Sequence, residues 1–248
     1  MPTAIPPRPL LALATIAYAI AFNLPYANLA RIFEYPGILR QPAAAVMTLF
    51  AAGGAELVLT WHAFALAALL LLPFALALSI TPTRLAQRPA LAIGAAIAGA
   101  LAGLAQAFGL WRWVFVVPEL SRIYLDATTS EVARVAAGQA FTVLNLYGGV
   151  AIGEHAGQLL TALFVLLLSL LQWGEGSRVP AAMGLATAGA IALGTTEGLA
   201  IALGQSGDLF GLFTILGFLG LTVWLIATAI ALLRAAADTS VAGAATGP

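Results

Sequence analysis

Six stretches of the chain are almost wholly apolar, and each is long enough as a helix to cross a hydrocarbon core of about 30 Å, which takes roughly 20 residues. They cover residues 9–28, 56–80, 89–117, 150–172, 180–203 and 209–234. Inside a bilayer the backbone has no water to bond, so runs of this kind are helices. The fifth and sixth are separated by the turn-forming stretch Gly204-Gln205-Ser206-Gly207-Asp208 and predict a helical hairpin. The connections after the second and fourth runs are short, whereas those after the first and third are long and share a face. The pattern predicts an all-α fold, a polytopic transmembrane bundle of six helices.

The long connections carry a different periodicity. Thr128 followed by Glu131 fits a capping box, and Glu131, Arg134, Gly138, Thr142 and Asn145 fall three and four apart as one polar stripe, with Val132, Val135, Ala136, Val143 and Leu144 largely off it. This predicts an amphipathic helix resting at the outer interface. A shorter interfacial helix is expected over residues 42–52, where Val46, Leu49 and Phe50 are apolar.

Composition agrees with the membrane reading. The chain is 62% hydrophobic and 8% charged, with a mean hydropathy of +1.01, too few charges to clothe a soluble globule. Ten arginines balance ten acids and there is no lysine, so a basic nucleic-acid surface is not expected and a lysine Schiff base is excluded. The absence of cysteine excludes disulfides, thiolate metal sites and thiol nucleophiles. The division expected is a short N-terminal segment 1–8, a transmembrane domain 9–234 and a disordered tail 235–248. The first apolar run is longer than a signal-peptide core and reads as a retained helix.

Arg8, Arg84, Arg88, Arg178 and Arg234 flank one side, and Arg31, Arg40, Arg112, Arg122 and Arg134 the other. The first set lies by short loops, which weigh most in orientation, so both termini are expected in the cytoplasm of a plasma (inner) membrane protein. Gly149, Gly153 and Gly157, Gly99 and Gly103, and Gly194 and Gly198 recur every four residues and predict faces where helix backbones approach closely.

The buried-looking polar residues gather toward one end of the spans. Glu56, His62, Gln106, Arg112, Asn145, Glu154, His155, Gln158 and Glu197 all fall toward the same membrane face. An ionisable group in a bilayer costs about 2.5 kcal/mol or more, so several at one depth imply a shared, mutually paired pocket. Glu56, His62, Gln106, Arg112, Glu154, His155, Gln158 and Glu197 are the candidate ligand-binding residues. Arg112 between Trp111 and Trp113 also fits an interfacial belt, with Glu119 as its partner.

Three chemistries are open to these residues. His62, His155 and Glu154 are candidate metal ligands, by which a zinc-activated water would support an interfacial hydrolase, although Glu154 and His155 diverge around a helix. His62 and His155 alone would suit a b-type haem. Without either, the pocket binds or senses a small or lipidic molecule, or the protein serves as an accessory subunit to a partner membrane protein. The cofactor is left unassigned. The inner halves of the second, fourth and sixth runs, as in Leu69–Leu72 and Val165–Leu168, are almost entirely apolar and offer no polar route for transport.

The stretch Glu154-His155-Ala156-Gly157-Gln158, leading through Trp173 to Val179-Pro180-Ala181-Ala182-Met183-Gly184, resembles the domain of unknown function 4386 family of bacterial six-helix membrane proteins. The resemblance covers most of residues 9–234. It implies a six-helix membrane fold, points to His155 and Gly157, and carries no activity with it.

Overall fold

The computed structural model describes residues 8–245. Six helical spans are long and apolar enough to cross a membrane: Pro9–Phe33, Ala43–Ser79, Pro89–Leu125, Glu131–Gly174, Arg178–Ala202 and Asp208–Ala235. The protein is an all-α, polytopic membrane protein, as its apolar pattern requires. Its helices are α1 (Pro9–Phe33), α2 (Ala43–Ser79), α3 (Pro82–Gln87), α4 (Pro89–Phe115), α5 (Val117–Leu125), α6 (Glu131–Leu144), α7 (Gly157–Gly174), α8 (Arg178–Gly194), α9 (Glu197–Ala202) and α10 (Asp208–Ala245).

Several boundaries differ from the sequence expectation. The short helix expected over 42–52 forms the first arm of α2, which bends at Gly54, a residue with φ of 54° and ψ of −146° that lacks the Cβ such a backbone would crowd. Val46 and Phe50 of that arm are buried. The cap of α6 is Ser130, whose hydroxyl accepts from the Ala133 N–H at 3.3 Å. Thr128, the expected cap, is turned toward the Asp126 carboxylate at 2.7 Å. The fifth span is interrupted at Thr195 and Thr196, between α8 and α9. The tail expected to be disordered continues α10 to Ala245, and residues 1–7 and 246–248 lie outside the described residues.

Between α6 and α7 the chain stays helical but widens. Asn145–Ala156 forms a π-helix, closed at its end by the Gly157 N–H reaching back to the Ile152 carbonyl. Such turns are rare, mostly single, and concentrated where function distorts a helix. Here the wide segment spans 12 residues.

The chain divides into two compact units. The first comprises Met1–Ile20, Leu70–Gly103 and Gln158–Pro248. Its core joins Tyr18, Leu71, Ala75, Ala95, Phe164, Leu168, Trp224 and Leu225. Small residues let its helices approach: a Cβ on Gly194 of α8 would lie 2.7 Å from the Thr214 nitrogen of α10, and one on Gly217 would lie 2.9 Å from the Ile191 nitrogen. Without a hydrophobic force between helices in lipid, close packing of this kind supplies the cohesion.

The second unit comprises Ala21–Leu69 and Leu104–Gly157. Its core is aromatic. Trp61 and Trp113 are fully buried and stack with centroids 5.0 Å apart. Phe33 packs edge-on to both, at 5.9 and 5.3 Å, and Phe50 stacks on Trp113 at 5.8 Å. Edge-to-face and offset geometries each add about 0.5–1.5 kcal/mol beyond area burial. Trp113 is therefore a core residue, not the belt anchor that its sequence context suggests.

Candidate functional site

The charged centre of the second unit is built on α4. Gly109 and Arg112 lie three apart and share a face with Gln106, opposite the glycines of the wide helix. A Cβ on Gly149 would lie 2.5 Å from Arg112 Nη2, one on Gly109 would lie 2.6 Å from the Gly153 Cα, and one on Gly157 would lie 2.7 Å from the Gln106 Cγ. The four-residue glycine series thus forms the seat for Arg112, Gly109 and Gln106 in turn.

Arg112 is 6% exposed, a guanidinium inside a membrane helix bundle. It donates to the Gly109 carbonyl and, at 3.1 Å, to Asn145 Oδ1. Its carbon lies 5.0 Å from the centre of the Trp113 ring, and its Nε is buried without a partner. These direct partners are all neutral. Asn145 donates from Nδ2 to the Leu39 carbonyl at 3.4 Å, tying the wide helix to the connection after α1.

That connection supplies the remaining groups. Arg40 donates to Glu154 Oε2 at 2.6 Å, with both side chains about a quarter exposed. Tyr35 packs edge-on to Trp61 and Tyr26, each at 5.4 Å. Burial pushes the Tyr35 phenol above the ordinary tyrosine range; the Glu154 carboxylate and Tyr26 add to the rise, and Arg112 and Arg40 oppose it. Arg40, Glu154, Arg112 and Tyr35 thus form one electrostatic cluster, with Asn145 bonded to its buried cation.

The sequence-predicted residues separate around this cluster. Arg112 and Glu154 belong to it, and Gln106 lies nearly two turns of α4 away, against Gly157. Glu56 is exposed and pairs with Arg31 at 2.9 Å, while Asn28 donates to Thr60 beside it at 2.9 Å. His62 is half-buried, edge-on to Phe115 at 6.5 Å, with its Nδ1 buried and unbonded. His155 is exposed. Gln158 and Glu197 belong to the first unit. Glu197 opens α9, its carboxyl carbon 3.6 Å from where a Cβ on Gly211 would stand. Among the described residues, no three His, Asp or Glu side chains gather to hold a metal ion. The pairing of Arg112 with Glu119 does not form either: Glu119 takes Arg122, one turn on, at 2.5 Å.

Sequence reasoning missed two features. Arg40 and Tyr35 lie in a connection where charge and aromaticity carry no period, so only the folded chain reveals their partners. In the first unit, Arg84 is 9% exposed and grips Glu175 with two bonds of 2.5 and 2.7 Å, while its third nitrogen donates to the Leu78 carbonyl. Nearby, Gln172 accepts from Trp224 at 3.3 Å and donates to Thr228 at 2.9 Å. Arg8, Thr81, Arg84, Gln172 and Thr228 line a cavity of about 20 Å³, room for one water. Arg84 and Glu175 flank short loops, where the sequence marks them only as topogenic charge.

Six apolar spans, a buried cation and ion pairs joining connections to helices define a multi-pass α-helical membrane protein with an internal polar centre. The domain of unknown function family DUF4386 matches residues 10–229, and the chain belongs to that family. No curated protein and no solved structure matches the chain.

Proposed function

We propose that this protein binds a small or lipidic molecule through an anionic group, held at Arg112 of the second unit. The observation that carries the proposal is a nearly inaccessible guanidinium whose direct partners are two neutral oxygens and whose Nε has none. Buried charge is costly unless paired, and an ionisable residue kept inside a membrane protein marks a functional site by default. The nearest acid, Glu154, is engaged by Arg40, so the set of Arg40, Glu154 and Arg112 carries one net positive charge. A carboxylate or phosphate oxygen supplies the missing counter-charge and fits the guanidinium's fork of donors.

The wide helix supports this reading. Asn145 and Gly149 place an amide and an open backbone against Arg112 within a segment whose geometry departs from the α-helix. Distortion of that sort persists where a site demands it.

The test is titration of the purified protein, in vesicles of neutral phosphatidylcholine, with a fatty acid, an alkyl phosphate and inorganic phosphate, followed by tryptophan fluorescence. Trp113 at 5.0 Å reports directly on Arg112. Saturable quenching by the amphiphiles but not by inorganic phosphate, lost in Arg112→Met while the fold persists, supports a lipidic ligand. Saturation by inorganic phosphate as well assigns a soluble anion. Equal responses in wild type and Arg112→Met, or no saturable response to any probe, overturn the proposal.

A further inference from the structure

We infer that the face of α6 forms a second, separate site, one that seats a zwitterionic phospholipid with a primary ammonium headgroup. The polar stripe of α6 does not simply face water. Glu131, Arg134, Gly138 and Thr142 line a groove of about 560 Å³ with Tyr124 of α5 and Ala43 at the start of α2. That volume lies within the range of small-molecule sites. Gly138 makes the groove possible, because a Cβ there would stand 3.3 Å from the Tyr124 ring.

The charges sit at one end. Arg134 and Glu131 lie 3.8 Å apart, beyond hydrogen-bond length, with Glu131 side chain 77% exposed and Arg134 side chain 37% exposed. Arg134 Nε is buried and makes no bond. A cation and an anion side by side, each with unused capacity, complement a phosphate joined to an ammonium. The phosphate takes Arg134, and the ammonium takes Glu131. An anionic headgroup would meet the Glu131 carboxylate, and a quaternary ammonium would have no N–H to give it.

Apolar lining selects a lipid over a soluble zwitterion. Val135 and Val143 line the groove beyond its charged end. Val132, Val135 and Val143 are 81%, 48% and 66% exposed, apolar surface that acyl chains cover and water would not. This site shares no residue with the Arg112 centre and stands or falls independently of it.

The experiment uses native mass spectrometry of the delipidated full chain with phosphatidylethanolamine, phosphatidylcholine and phosphatidylglycerol of identical acyl chains. One phosphatidylethanolamine is expected to be retained about tenfold more tightly than phosphatidylglycerol, the worth of one charge-assisted pair. Arg134→Gln is expected to weaken retention of every phospholipid, and Glu131→Gln to erase the preference for the primary ammonium over the quaternary one. Gly138→Leu, which fills the groove, is expected to abolish the tight lipid. Equal retention of all three headgroups, or a tight phosphatidylethanolamine that survives both Arg134→Gln and Glu131→Gln with the fold intact, overturns the inference. The two charge variants are at or near the surface, so they keep the test decisive should Gly138→Leu fail to fold.

Discussion

Gly109→Ala tests whether the seat of Arg112 is built by helix contact. The added Cβ would stand 2.6 Å from the Gly153 Cα, 2.9 Å from the Gly148 carbonyl oxygen and 3.1 Å from the Gly153 nitrogen. All three are backbone atoms, so relief demands that α4 and the wide helix separate. Overpacking of this type costs about 1–3 kcal/mol, and a rigid neighbour places it at the upper end. Helix propensity returns about 1 kcal/mol for Gly→Ala in either helix, leaving a net loss of roughly 2 kcal/mol. Gly148→Ala is the internal control, since its Cβ would meet the Leu144 side chain at an ordinary 3.6 Å. Thermal unfolding in mild detergent, followed through the tryptophans, reads the pair. For a chain of this size a loss of 2 kcal/mol lowers the Tm by about 4–8 °C. Gly109→Ala is expected to fall by that amount, and Gly148→Ala to stay level or rise. Equal Tm values for the two variants would refute the contact on which the site is built.

Other outcomes follow from the same geometry. Arg84→Gln leaves Glu175 without its two bonds in a half-buried setting and is expected to cost about 2–4 kcal/mol, with Glu175→Gln costing less than additively in a double-mutant cycle; additive losses would deny the pair. Tyr35 has a folded pKa above its unfolded value, so its neutral form adds stability below the ordinary tyrosine pKa of about 10, and that contribution is lost as the pH rises beyond it. Tyr35→Phe should therefore flatten part of the fall in Tm between neutral and strongly alkaline pH, and an unchanged alkaline limb would contradict the burial of the phenol. Gly54→Ala forces a Cβ into a backbone region open essentially to glycine alone and is expected to destabilise by about 1–3 kcal/mol, although nothing beyond the adjoining backbone lies within 4 Å of it. The chain has no cysteine, so single replacements report topology cleanly. On the arginine distribution, Ser206→Cys is expected to react with an impermeant maleimide on intact cells and Ser177→Cys is not, and the reverse labelling would invert the proposed orientation.

How far the sequence could be read depended on the length scale of the signal. Span number and type were legible because the bilayer imposes one length and one composition on every crossing. The glycine series at Gly149, Gly153 and Gly157 was legible for a related reason, since small residues at a regular spacing have few uses other than close approach. What they approach was not. Nothing local distinguishes Gly109, Arg112 and Gln106 on α4 as the opposing face, because partner choice is a property of two helices and the period of only one is visible at a time. The same limit hid the pairing of Arg40 with Glu154, separated by 114 residues, and of Arg84 with Glu175, separated by 91.

Arg112 shows why such a misreading has a physical cause. Its flanking tryptophans and the acid seven residues on suggest an interfacial anchor, and composition offers nothing against that. The deciding facts are the missing Cβ of Gly149, which opens room for the guanidinium, and the aromatic layer of Trp61, Phe33 and Phe50, which takes Trp113 inward and draws its neighbour with it. The wide helix completes the arrangement by carrying Asn145, whose oxygen accepts from Arg112, and Glu154, paired with Arg40, at its two ends. An α-helix of the same sequence would rotate these residues to different azimuths, because each wide turn spends extra residues for the same rotation. The π-geometry, the glycine seat and the buried cation are therefore one device. Straightening the segment is expected to disperse the polar centre even with every side chain retained.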